Sequence, residues 1–395
     1  MAYKKVNHQF FITGAIQDIT TSTDYSLNGM IQSVAIKKDY STDIMPLFVL
    51  KLLVPTEIRE VIRKDDVKIS IKIDQFSARD SLEDDDNADP VIEDNLLNTM
   101  LRLYDKNIRE INIKEEDDPE SDEALKNQKY EIVLPCIPDL LVSYNDDIVN
   151  TVYNNANMDE ILIDVLAKYN MLYLDPSDNR EREECIFIPP LNISKAIEYL
   201  DENYGIYDTE ASLFFDTYKT YMYKKYGDSN GYYENKIDIQ VLNVNEVSSA
   251  TSYHDTQVDD EDNIKLVMNK SPEYLSIKDV KNNMLGGNAV FGSYGSEYEP
   301  VLRSYELSDE KKIRYYWNEN RTKLAETNMI NAPAVQSAIT INNLNPKVIS
   351  PKTQILINSE NSDVKGIYNI TSCRVIFTTS DMKVFKNKIL VTFVK

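Results

Sequence analysis

Histidine and cysteine, the residue types that most often carry nucleophilic chemistry, are few in this chain. The histidines are His8 and His254, and the cysteines are Cys136, Cys185 and Cys373. A catalytic nucleophile needs a base within hydrogen-bond reach, but neither histidine lies in a G-x-S-x-G or H-E-x-x-H motif. A pair such as Cys136 with His254 is compatible with the sequence, although a buried, inert cysteine is the commoner state. We therefore predict no catalytic residue and no enzyme activity.

Carboxylates offer a second kind of chemistry, because they can bind cations or cleave glycosidic bonds. The clusters Asp84–Asp86 and Asp259–Asp262 supply hard oxygen ligands, but neither has the alternating order of a calcium-binding loop. Sequence alone cannot select a catalytic carboxylate pair from 65 acidic residues. The glycine-rich stretch Gly286–Gly295 lacks the G-K-[ST] ending of a phosphate-binding loop. We predict no metal and no cofactor, with weak divalent-cation binding in the acidic clusters as the alternative.

The charge of the whole chain favours protein partners. Its 395 residues include 43 basic and 65 acidic side chains, a formal charge of −22, and 42% of them are hydrophobic. Such a chain can form two or three domains, but phosphate backbones and anionic bilayers repel it. The cysteines have neither a disulfide nor a zinc spacing. Neither a signal peptide nor an apolar run of about 18 residues is found, so we expect synthesis in cytoplasm and no membrane partner.

The N-terminal part of the chain has the pattern of antiparallel strands. In Val67–Ile73, apolar and polar residues alternate with the period of a strand that has one buried face. Further strands are predicted at Gln9–Thr13, Met30–Ile36, Leu47–Val54 and Tyr130–Leu134. The stretch Arg79–Leu125 is strongly acidic, which predicts an insertion with solvated loops. Within it, Leu96–Ile108 fits either a helix or a strand.

The middle of the chain changes to the period of a helix. One apolar face is formed by Ile161, Leu162, Val165, Leu166 and Tyr169. Asn157 is the predicted N-cap of this helix, with Glu160 three residues on. A second helix is predicted to start at Asn192 or Ser194 and to end before Gly205, which takes the left-handed C-cap position. Strands are then predicted at Ser212–Phe215, Tyr218–Tyr223 and Ile237–Val244.

The C-terminal part of the chain again has the pattern of a small antiparallel barrel or sandwich. The predicted strands are Ala338–Asn342, Gln354–Asn358, Gly366–Thr379 with a turn near Ser372, and Lys388–Val394. Before them, Gly286–Gly295 is predicted to be a mobile loop because glycine permits many backbone conformations.

One passage is more specific than the rest. It reads NMDEILIDVLAKYNM and, after a short loop, IPPLNISKAIEYLDENYGIYDTEASLFFDTYKTYMYK. The proline-led start at Pro189 and Pro190, the string from Ala196 to Tyr207 and the apolar strand Ser212–Asp216 resemble the central baseplate hub protein of contractile phage tails. This hub family is shared with type VI secretion spike proteins. The β-rich flanks, including Val364–Thr371, agree with the resemblance.

The resemblance implies a fold class and a domain order. The fold would be α+β and mainly β, with two small antiparallel hub β-barrels and a helix-containing α/β middle region. The N-terminal barrel would occupy residues 1–150, with the acidic insertion at about 79–125, and the helix-containing middle domain residues 151–270. A glycine-containing insertion or linker would occupy residues 271–335, and the C-terminal barrel residues 336–395.

The resemblance also implies a structural role in the virion. Three copies would form a ring that joins the sixfold tail tube to a threefold central spike, without catalysis. The partners would be two further copies of the chain, the tail tube protein, the central spike protein and other baseplate proteins. DNA would pass through the lumen during genome ejection without specific binding, and a bacterial host would make the chain in its cytoplasm. The alternatives are a tube initiator, a baseplate arm or, less favoured, a tail-associated cell-wall hydrolase.

Five residues of the distinctive passage are candidates for the functional site of a hub. They are Tyr199, Tyr204, Ile206, Tyr207 and Phe214. The two apolar residues and the three tyrosines, whose apolar rings carry a polar tip, suit either a helix-to-strand core or a contact between subunits. We favour the core, but the sequence does not separate the two roles.

Overall fold

The computed structural model of the chain describes eighteen segments. They are residues 4–5, 8–64, 67–77, 92–104, 109–113, 129–180, 182–207, 211–224, 233–241, 254–258, 263–268, 274–275, 288–294, 300–305, 311–316, 336–358, 365–379 and 383–394.

Strands dominate these residues. They are β1 (Lys4–Lys5), β2 (His8–Asp18), β3 (Thr23–Ser26), β4 (Ile31–Asp39), β5 (Leu47–Pro55), β6 (Val67–Ser77), β7 (Ile92–Leu103), β8 (Arg109–Ile113), β9 (Lys129–Pro138), β10 (Ile148–Ala156), β11 (Met171–Leu174), β12 (Glu183–Asn192), β13 (Ala211–Phe215), β14 (Lys219–Lys224), β15 (Asn235–Val241), β16 (His254–Val258), β17 (Ile264–Met268), β18 (Tyr274–Leu275), β19 (Asn288–Tyr294), β20 (Pro300–Tyr305), β21 (Lys311–Tyr316), β22 (Gln336–Asn342), β23 (Thr353–Asn358), β24 (Gly366–Thr378) and β25 (Lys386–Val394). The helices are α1 (Thr56–Ile62), α2 (Asp139–Asp146), α3 (Met158–Leu166) and α4 (Ile193–Asn203), and a 3-10 turn covers Pro346–Val348. The predicted α+β, mainly β class is confirmed.

The N-terminal strands form an antiparallel array. β2 pairs along its whole length with β6, β6 pairs with β7, and β9 pairs with both β7 and β5. Alternate residues of β6, such as Ile69 and Ile71, are buried, as their period of two requires. The five strands predicted in this part of the chain are confirmed.

The N-terminal and C-terminal strands are joined edge to edge in one sheet. β24 lies beside β4, with Ser372–Thr378 opposite Ser33–Asp39, and its other edge pairs with β25. β25 then pairs with β22. A bridge between Phe10 and Phe385 adds a second link between the two ends of the chain. These hydrogen bonds join the N-terminal strands directly to the C-terminal strands.

Two strands from the middle of the sequence belong to this same sheet. β15 pairs in parallel with β23 on one side and with β17 on the other. The predicted strand at Ile237–Val244 is thus confirmed as far as Val241, and one of its two partners, β23, is a C-terminal strand. The domain division at residue 270 stays a prediction.

The acidic stretch Arg79–Leu125 contributes to the sheet. β7 lies inside it and pairs with β6 over Lys68–Phe76, and β8 pairs with β9. Leu97 and Leu101 of β7 are buried, so the strand alternative for Leu96–Ile108 holds as far as Leu103. The acidic residues Asp84–Asp86 and those between 114 and 123 lie outside the described residues.

The helices have the caps that the sequence predicts. The Asn157 side chain accepts a hydrogen bond from the Glu160 amide, and the Glu160 carboxylate accepts one from the Asn157 amide, which makes a capping box before α3. Asn192, rather than Ser194, caps α4. Gly205 follows α4 with a positive φ of 76°, and its amide donates to the Leu200 and Asp201 carbonyls. Among the described residues, no helix is long and apolar enough to cross a membrane.

Two predictions about the later part of the chain are wrong. Asn288–Tyr294 is a strand, β19, between β20 and β21, and not a loop. Backbone pairing on both sides compensates for the low strand preference of its glycine. Ser372 does not break a strand, because a β-bulge between Ile370 and Ser372 keeps β24 continuous against β25.

A three-stranded sheet of β11, β14 and β13, which we name the junction sheet, separates two hydrophobic cores. Alternate residues of its strands face opposite cores. Tyr173, Phe214, Tyr221 and Tyr223 pack into the core of the large sheet. Leu172, Leu213, Phe215 and Met222 pack into the core around α3 and α4. The junction sheet therefore holds the helical region against the large sheet.

Candidate functional site

Three of the five residues predicted from the distinctive passage lie in the junction sheet or in the segment between α4 and that sheet. Ile206, Tyr207 and Phe214 are fully buried. Ile206 and Tyr207 belong to the helical core, whereas Phe214 belongs to the core of the large sheet. The chain from α4 to β13 therefore passes from one core to the other.

The other two predicted residues lie apart from the junction. Tyr199, on α4, and Tyr204, the C-cap residue that follows α4, are half-buried. Their ring centroids are 6.3 Å apart in an edge-to-face arrangement. Tyr204 packs against the helical core. A role for either residue in a subunit contact stays a prediction.

Buried tyrosine hydroxyls donate hydrogen bonds to backbone carbonyls at the junction sheet and next to it. The Tyr207 hydroxyl donates to the Asp175 carbonyl at 2.8 Å, and the Tyr223 hydroxyl donates to the Tyr40 carbonyl at 2.8 Å. Burial raises the pKa of Tyr207 well above its usual value, so its hydroxyl stays protonated and remains a donor. Phe214 meets the Tyr40 ring edge-on, with the centroids 4.9 Å apart.

A buried ion pair joins the junction sheet to the start of β23. Lys352 Nζ lies 2.8 Å from Asp175 Oδ2, and the two side chains are 3% and 2% exposed. The Lys224 amide donates to the same carboxylate oxygen. Desolvation lowers the pKa of Lys352, and the Asp175 charge opposes that shift. Because each charge has lost its water, each depends on the other for compensation.

A second ion pair joins β4 to the end of β13. Lys38 Nζ lies 2.5 Å from Asp216 Oδ2, and both side chains are nearly buried. Asp216 also accepts from the Thr217 amide. A third pair, Lys219 with Glu234 at 2.6 Å, joins β14 to the residue before β15. Sequence reasoning missed all three pairs, and the partners of the first two are 177 and 178 residues apart.

Beside these ion pairs lies a cavity of about 420 Å³. Phe48, Leu96 and Phe377 contribute apolar walls. Lys347 and Asp94, which are 3.0 Å apart, contribute to its lining. The Tyr218 hydroxyl donates to the Leu96 carbonyl, and Lys347 Nζ lies 4.5 Å from the Tyr218 ring centroid. The described lining contains three acid–base pairs and no histidine or cysteine, so it is suited to holding segments together rather than to nucleophilic chemistry.

The candidate catalytic residues do not form a reactive group where the structure describes them. Cys136 is buried, and burial raises its pKa to about 12, so it stays a thiol near neutral pH. His8 Nδ1 lies 3.1 Å from Gln75 Nε2, and burial lowers its pKa in spite of the nearby Glu93. The side chain of His254 and the residues Asp259–Asp262 lie outside the described part. Within that part, no group of three potential metal ligands is found.

Comparison with known proteins gives a family and a fold. The family model described as Bacteriophage PBS1 gene 109 protein matches residues 6–392. No curated protein matches the chain significantly. The family match places the chain among phage proteins, in agreement with the resemblance.

Several solved structures are similar over most of the chain. A tail protein from Neisseria meningitidis MC58 is 7% identical, with a TM-score of 0.51 over 98% of this chain and 97% of that chain. The 43 kDa tail protein of prophage MuSo2 from Shewanella oneidensis is 9% identical, with a TM-score of 0.47 over 99% and 97%. The E. coli c3393 protein, a type VI secretion component, is 9% identical, with a TM-score of 0.42 over 92% and 73%. At 7% identity, the Neisseria protein establishes a shared fold only.

Proposed function

The chain belongs to the Bacteriophage PBS1 gene 109 protein family, and from this membership we propose that it is a structural protein of a phage tail that forms the hub of the baseplate. The observation that carries the proposal is the end-to-end fold correspondence with a tail protein, over 98% of this chain and 97% of that one. The protein acts in the assembled virion, in the tail, and has no catalytic role.

The hub joins a sixfold tube to a threefold spike, as the resemblance of the distinctive passage implies. Three copies form the ring, and each copy supplies two β-rich parts, so that six similar surfaces face the tube. The pairing of β4 with β24 supports this arrangement, because it fixes the two β-rich parts of one chain relative to each other. The junction sheet and its ion pairs hold the helical region at a fixed position on this frame.

The test is the solution mass of the full chain, alone and with its proposed partners. Light scattering on a sizing column should give three times 45.5 kDa for the chain alone or, after addition of the tube and spike proteins of the same phage, the mass of a complex that contains three copies of the chain. A chain that stays monomeric and binds neither protein would overturn the hub role. Electron microscopy of tails from a phage that lacks the gene provides a second readout, since tails without a hub should lack the spike.

A further inference from the structure

A two-stranded ribbon stands outside the other sheets. β10 and β12 are antiparallel and, among the described residues, pair only with each other. Their inner face is buried in the helical core through Val149, Ile186 and Ile188. The guanidinium of Arg182 donates to the Asn155 carbonyl at 2.6 Å and fastens one end of the ribbon. The ribbon is thus held in place without help from its outer side.

The centre of the outer face of the ribbon is largely apolar and carries no charge, and Glu183, opposite Ala156, lies at its end. The centre consists of Ile148, Val152, Asn154, Cys185 and Phe187, all of which are exposed. Val152 lies directly opposite Phe187 in the register, and the two residues are 51% and 47% exposed. In a chain with 27% charged residues, depletion of charge around an exposed aromatic residue is the composition of an interface centre.

The surroundings of this face are acidic. Residues 146–160 and 182–192, which include both strands and their flanks, contain six acidic side chains and one basic side chain. The acids are Asp146, Asp147, Asp159, Glu160, Glu183 and Glu184. Arg182, the one basic side chain in these ranges, is already paired with Glu160 at 2.6 Å, and Lys168, which lies outside them in the sequence, is paired with Asp147 at 3.7 Å. An apolar centre therefore lies inside a net negative rim.

This charge pattern selects the kind of partner. A second copy of the chain, with its own net charge of −22, would bring further negative charge against this rim, and like charges in juxtaposition disfavour association. A different protein with Lys or Arg around an apolar patch would gain both apolar burial and complementary charge. We propose that the outer face of the ribbon docks another tail protein, one with an apolar strand or patch rimmed by basic residues. This contact is additional to those with the tube and the spike, and it rests on the tail role proposed above.

The test uses purified tails, in which the chain is first identified by mass spectrometry. A carbodiimide joins contacting carboxylates and lysines without a spacer, so it should link rim residues such as Glu183 and Glu184 to lysines of a different tail protein. The linked segment should contain more Lys and Arg than Asp and Glu. Cys185, which the free chain exposes, should lose its reactivity to a maleimide in the tail.

Variants separate the surface from the fold. V152D/F187D places charge on the outer face, and both native residues are exposed, so the free chain should keep its melting temperature. Tails that carry this variant should lose the rim cross-links and regain alkylation of Cys185. Ile92→Asp changes an isoleucine that is 52% exposed in a different sheet and should leave both readouts as in the unmodified chain.

Three outcomes would overturn the inference while the tail role stands. They are cross-links to a second copy of the chain, cross-links to a segment without a basic surplus, and alkylation of Cys185 in tails at the rate of the free chain. Absence of the chain from purified tails would instead overturn the proposed function, and this inference with it.

Discussion

The buried pair of Lys352 and Asp175 is the residue-scale contact on which the junction depends most. Lys352→Met would leave the Asp175 carboxylate buried without a counter-charge, which typically costs about 3–5 kcal/mol. Urea unfolding should show a loss of this size in the free energy of unfolding at neutral pH. Lys195→Met is the matched control, because Lys195 is 63% exposed in its pair with Glu198, and it should leave stability unchanged.

The double variant K352M/D175N distinguishes a charge effect from loss of packing. It removes both charges and keeps the shape of the Asp175 side chain, so stability should recover in part relative to K352M. If the double variant is no more stable than the single one, uncompensated charge is not the cause. The lowered pKa of Lys352 adds a pH signature. Because the unfolded chain then binds this proton more tightly than the folded chain, the unfolding free energy of the wild type should rise relative to K352M as pH approaches the ordinary lysine pKa of about 10.4.

The three cysteines should differ sharply in reactivity. Burial raises the pKa of Cys136 and of Cys373 to about 12, whereas Cys185 is exposed on β12. A chromogenic thiol reagent should therefore titrate one thiol per native chain and three in denaturant. Cys185→Ser should abolish the fast reaction. A second fast thiol in the native chain would contradict the buried positions of Cys136 and Cys373.

At the scale of elements, the end of α4 is set by Gly205. Its φ of 76° is in the left-handed region, where a Cβ atom costs about 1 kcal/mol. Gly205→Ala should lower the free energy of unfolding by about that amount, and Gly205→Asn by less, because Asn tolerates this conformation. Urea unfolding of the two variants checks this order, and equal losses would show that the backbone conformation is not the cause.

Local patterns predict the elements whose order is set by local interactions. The caps at Asn157 and Gly205 and the alternation in Val67–Ile73 act within a few residues, so sequence reasoning placed α3, α4 and β6 correctly. Leu96–Ile108 stayed ambiguous because its strand form is stabilised by β6 and β9, which lie elsewhere in the sequence. The strand β19 was missed for the same reason, since its stability comes from its neighbours and not from its glycine.

The candidate site could be predicted only in part. Ile206, Tyr207 and Phe214 follow from the apolar pattern around a helix end. The pairing of Lys352 with Asp175 spans 177 residues, and no local signal marks either one among 43 basic and 65 acidic side chains. The parallel pairing of β15 with β23 is equally non-local. Such contacts depend on topology, which composition and periodicity do not specify.

At the scale of the whole molecule, net charge sets the conditions under which copies associate. Each chain carries a formal charge of −22, so the proposed ring of three chains gathers three times that charge. Mutual repulsion opposes the ring, and salt screens it, since the Debye length falls from roughly 14 Å at about 0.05 M to roughly 4 Å at about 0.5 M. Sedimentation at a fixed protein concentration should therefore show the trimer fraction rising with sodium chloride over this range.

The choice of salt tests whether this effect is electrostatic. Sodium chloride and potassium chloride at equal ionic strength should act alike, because screening depends on ion charge and concentration. Sodium sulfate also strengthens apolar burial, so it should favour the trimer more than chloride at equal ionic strength only if the subunit interface is largely apolar. A trimer fraction that falls with added chloride would show instead that opposite charges hold the copies together, and the acidic surface would then have to face basic residues of the neighbouring chain.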